Sequence, residues 1–97
     1  MPDKIIRTDF QAFRYELERA ILETDQEHIR NHLTRAKFLC YLLSRSLEHN
    51  YIVMFSQVYD LAVSAAHASS DKKEKTQAFR KKISTLKYEL AAKYKFK

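Results

Sequence analysis

Apolar side chains recur along this chain at alternating steps of three and four, the spacing of one face of an α-helix. Phe10, Phe13, Leu17, Ala20 and Thr24 form a first seam with Ile21 beside it, and Ile29, Leu33, Ala36, Cys40, Leu43 and Leu47 form an unbroken second. Ile52, Phe55, Tyr59, Ala62 and Ala66 give a third, and Phe79, Ile83, Leu86, Leu90 and Lys93/Tyr94 a fourth. Each seam reads as a helix turning one stripe toward a shared core. The predicted helices run over about 9–23, 25–48, 51–68 and 71–95.

The boundaries follow from local chemistry. Thr8-Asp-Phe-Gln11 and Thr24-Asp-Gln-Glu27 fit the capping box, in which the Thr hydroxyl and the Gln or Glu side chain satisfy the first free N–H groups. The second seam also starts out of phase with the first, since continuing 17, 20, 24 would carry Glu27 and Asn31 into the core. His49-Asn50 is the expected end of the second helix, because Asn tolerates the left-handed conformation. Ser69-Ser70-Asp71 followed by Glu74 places acidic groups at the positive start of the fourth.

Composition agrees with an all-α fold. Glycine is absent and Pro2 is the only proline, whereas strand folds of this size use both residues at hairpins and bulges. Short polar connections favour antiparallel neighbours, so the expectation is a compact antiparallel four-helix bundle forming one domain over residues 1–97.

Charge divides the chain unevenly. Asp71 to Lys97 holds ten basic and three acidic residues, or +7, while the preceding residues hold eight and nine, or −1, giving +6 in all. With Ile83 and Leu90 at heptad position a, Lys75 and Lys82 fall at g; with Phe10 and Leu17 at a, Glu16 and Glu23 fall at g. Antiparallel first and fourth helices would then pair Glu16 with Lys82 and Glu23 with Lys75. Outside that pairing, Lys81, Tyr88 and Lys95, flanked by Arg80 and Lys87, form an outward basic face with one aromatic ring. Such a face suits phosphates and a stacked base, an acidic protein or membrane surface, or simply solvent.

The second and third helices are apolar beyond their seams. Phe38, Leu39, Tyr41 and Leu42 lie off the second seam, and Tyr51, Val53, Met54, Val58, Leu61 and Val63 lie off the third. A helix apolar nearly all round must be covered on more than one side. Phe38, Tyr41 and Leu42 are therefore expected to meet a protein partner or a second copy in a homodimer, unless the second helix is central and buries them itself.

Candidate chemistry is sparse. His28 and His32 share a face at i and i+4, but two ligands do not make a metal site. Cys40, the only cysteine, falls on a core seam where burial keeps a thiol inert, and a lone cysteine suits a reducing, cytoplasmic setting. A chain without glycine has no Gly-rich phosphate loop, and no adjacent Ser/His/Asp set is visible. No apolar run reaches the roughly 20 residues of a spanning helix, and the first residues lack a signal-peptide stretch. The sequence thus predicts no catalytic residue, cofactor or metal. It predicts a non-enzymatic macromolecule-binding module of a regulatory, inhibitory, immunity or chaperone-like kind, with a nucleic-acid-binding accessory protein as the alternative.

Overall fold

The computed structural model describes residues 3–94 and contains four α-helices: α1 (Asp3–Leu22), α2 (Gln26–Ser44), α3 (His49–Ala66) and α4 (Lys72–Tyr94). They form an all-α four-helix bundle about 40 Å long and 23 by 21 Å across. That length is set by α4, whose 23 residues span roughly 35 Å at 1.5 Å per residue.

Connections of three to five residues fold consecutive helices back on each other. α1 packs closely on α2, and α3 on α4; α1 also lies against α3, while α2 and α4 make no contact among the described residues. The core is filled by Phe10, Phe13, Leu17, Ile29, Leu43, Phe55, Phe79, Ile83, Leu86 and Leu90, all essentially without exposure. The Phe55 ring joins the two closest pairs of helices, with its centroid 5.0 Å from Phe13 and 6.0 Å from Phe10. Tyr94 closes one end: its ring lies 5.8 Å from that of Tyr51, and its hydroxyl accepts from the Glu48 N–H at 3.4 Å.

Several boundaries differ from those the sequence predicts. α1 begins at Asp3 and runs through the Thr8 box, because a Thr inside a helix costs only about 0.7 kcal/mol relative to Ala and does not compel a start. α2 is capped by Asp25 rather than Thr24; its carboxylate accepts from the Glu27 N–H at 2.9 Å and the His28 N–H at 3.2 Å. The same helix ends at Ser44, and Asn50 belongs to α3. Arg45 closes α2 at φ −79°, ψ −12°, donating its N–H to the Leu42 carbonyl at 3.2 Å. Tightened bonds of this i to i−3 kind also join Ser46 to Leu43 and Ala68 to Ala65, which is how a chain without glycine ends helices without a left-handed residue.

The core row of α3 is also displaced. Tyr51, Phe55, Val58, Ala62 and Ala65 are buried, whereas Ile52 and Tyr59, expected on the seam, are half-buried at its edge facing α2. Cys40 is likewise half-buried.

Candidate partner-binding site

The displaced row leaves an open groove between α2 and α3. Ile52, Ser56 and Tyr59, one turn apart along α3, form one wall; Lys37, Cys40, Tyr41 and Ser44 of α2 form the other, enclosing about 320 Å³. Ser44 turns its hydroxyl back to the Tyr41 carbonyl at 2.6 Å, so the wall it contributes is less polar than its residue type suggests. Beyond Tyr59, toward the other end of the same helices, lies a second lobe of about 510 Å³, walled by Arg30, Leu33, Thr34, Asp60, Val63 and His67. Tyr59 borders both lobes.

The groove floor carries no charge. Burial holds the Cys40 thiol above its ordinary pKa. Burial, with smaller contributions from the Asp60 charge and from Cys40, does the same for the Tyr59 phenol. The floor presents a neutral thiol, a neutral phenol and an isoleucine, a surface suited to apolar contact.

The three residues expected to meet a partner are only partly brought together. Tyr41 is 62% exposed and forms a groove wall; Phe38 is 61% exposed on the outward face of α2; Leu42, half-buried, lies further round toward α1. Val53, 42% exposed, extends the apolar surface onto α3. Spacing alone places the floor residues Cys40, Ile52 and Tyr59 on core seams. The signal for them was the second apolar row on α3, which competes for the same interior.

On α4, Tyr88 is the most exposed large apolar side chain, at 78%, and Lys81 and Lys87 are exposed and form no ion pair among the described residues. Arg80 of the same face is held to Glu18 of α1 at 3.2 Å. Lys95 lies outside the described residues. The pairs expected between the first and fourth helices do not form. Glu16 accepts from Arg35 Nε at 3.1 Å and lies 2.7 Å from His32 Nδ1, both on α2. Glu23 accepts from the Thr24 and Asp25 N–H groups, which lower its pKa, and Lys75 pairs with Asp71 within its own turn. Glu18 and Arg80 nonetheless keep the expected antiparallel register, each two residues from the pair predicted.

His28 and His32 are directed to Glu23 and Glu16 respectively, and no three His, Cys, Asp or Glu side chains gather as a metal-binding group among the described residues. No described helix is long and apolar enough to cross a membrane. Comparison with protein-family models, curated proteins and solved structures yields no match.

Proposed function

We propose that this protein is a non-enzymatic binding module that receives another protein chain on the face formed by α2 and α3. The observation that carries this reading is the open apolar groove floored by Cys40, Ile52 and Tyr59, with Tyr41, Phe38 and Val53 exposed beside it. Large apolar side chains left together at a surface gain free energy when covered, at roughly 25 cal/mol for each Å² removed from water. The polar cluster of Glu16 with His32 and Arg35 joins α1 to α2, a use of charged groups in holding the bundle together. The single thiol, neutral and half-buried, suits a reducing cytoplasmic setting.

The test is affinity capture from native lysate with and without nuclease, using the parent and the Phe38→Glu/Tyr41→Glu variant, both positions being exposed. A discrete protein retained by the parent after nuclease and lost by the variant supports the reading, because a charge placed in an apolar interface goes unpaired. Loss of all capture on nuclease treatment contradicts it.

A second reading rests on α4, where Lys81, Lys87 and the exposed Tyr88 ring form a basic face able to grip phosphates and stack a base. Under that reading, Lys81→Gln and Lys87→Gln each flatten the log–log salt dependence of duplex binding by about 0.9. Absence of any DNA or RNA shift at low salt rules it out.

A further inference from the structure

Resting on the α2–α3 reading, we infer that the occupant of the groove is an amphipathic helix of a different protein, about 18 residues long, with an acidic edge toward α2. The length follows from the walls: the two lobes, which meet at Tyr59, lie between Gln26 and Ser44 on α2, roughly 27 Å at 1.5 Å per residue. The lobes are centred about ten residues apart on α2, or roughly 15 Å, so in a helix with apolar residues at i, i+4, i+7 and i+11 the two end anchors, roughly 16 Å apart, reach one lobe each.

Charge decides the rest. The α2 wall carries two cations, Lys37 in one lobe and Arg30 in the other, each exposed and in no ion pair among the described residues. Between His49 and Ala66, the only Asp, Glu, Lys or Arg is Asp60. A docked helix therefore meets cations along one edge and a single carboxylate along the other. Glutamates on the first edge are complementary, and a neutral or basic residue suits the second.

A second copy of this chain does not supply such a helix. α2 offers the same cations again, and α3 the same lone carboxylate. The exposed Tyr15/Leu22 pair on α1 is flanked by Arg19 and by Glu18, which Arg80 already neutralises. Like charges brought together at a two-fold interface oppose association.

The probe is a phage-displayed library of 18-residue peptides with Leu at i, i+4, i+7 and i+11 and free choice of Glu, Lys, Ser or Ala elsewhere, selected on the full chain. The expected result is enrichment of Glu along one edge, loss of binding of at least about tenfold on Ile52→Glu, and weakening on the order of tenfold on Lys37→Glu. Bound peptide should also slow alkylation of Cys40. Lys37 is exposed, so Lys37→Glu leaves the fold intact even if Ile52→Glu does not, and far-UV circular dichroism checks both variants.

Selected peptides that need Ile52 but carry neutral or basic edges overturn the acidic partner while leaving the α2–α3 reading standing. Peptides indifferent to both substitutions overturn the two together. A micromolar dimer made monomeric by Ile52→Glu assigns the groove to a second copy and overturns the inference. A duplex DNA shift abolished by Lys37→Glu assigns the rim to nucleic acid and overturns it as well.

Discussion

Replacing Phe55 with alanine and, separately, Phe38 with alanine separates the apolar surface that folds this chain from the apolar surface left over. Phe55 is 1% exposed and its ring meets Phe10 and Phe13, so truncation removes the contacts that tie α3 to α1 and leaves a cavity. Buried Phe→Ala changes cost about 3–5 kcal/mol, against a total stability of roughly 5–15 kcal/mol for a domain of this size. At about 4–8 °C per kcal/mol, the midpoint of thermal unfolding should fall by roughly 12–40 °C. Phe38 loses little packing, because 61% of it is already in water, and alanine is the better helix former. Its truncation should change stability by no more than about 0.5 kcal/mol in either direction. Urea unfolding followed by far-UV circular dichroism measures both. A Phe38→Ala cost above about 2 kcal/mol would mean that α2 needs its outward face for folding and has none to offer a partner. A Phe55→Ala cost below about 1 kcal/mol would refute the core described above.

Three further perturbations probe other parts of the account. Asp25→Ala should cost about 0.5–2 kcal/mol and Thr24→Ala almost nothing, since the Asp25 carboxylate takes the free N–H groups of α2; the reverse order in urea titrations would return the cap to Thr24. Glu16→Ala should cost about 1–3 kcal/mol, because Glu16 and His32 are 16% and 15% exposed and share a charged hydrogen bond, whereas Glu18→Ala at the more exposed Arg80 pair should cost less than about 1 kcal/mol. Equal effects would contradict that difference in burial. The raised pKa of Cys40 shifts its alkylation profile to higher pH than that of an unfolded-state thiol. Because the folded state favours the protonated thiol and phenol of Cys40 and Tyr59, their contribution to stability is complete below the ordinary thiol and phenol ranges and is lost as pH rises through the raised values. An alkylation profile unchanged by urea would contradict the shift.

Helical periodicity made the four helices legible because each seam is long and regular. It did not choose the face of α3. Tyr51-Phe55-Val58-Ala62-Ala65 and Ile52-Phe55-Tyr59-Ala62-Ala66 share Phe55 and Ala62 and obey the same spacing, so only packing decides which row faces inward. The groove owes its existence to that decision, and so its floor was not readable from spacing. Which helix each flank of a seam meets was hidden for a related reason. A heptad gives each stripe two flanks without saying which neighbour each one meets; Glu16 turned to α2, Lys82 borders α3, and α1 and α4 met through Glu18 and Arg80 instead. Phe38 and Tyr41 were legible as exposed surface because they lie far around α2 from an unbroken seam.

The most direct test of the binding role places a photo-crosslinking phenylalanine analogue at position 38 or at position 88 of the full chain and irradiates each in native lysate. The account predicts a discrete, nuclease-resistant protein adduct from position 38 and none of the same mass from position 88. An adduct formed only from position 88, or one from position 38 that nuclease removes, would contradict it.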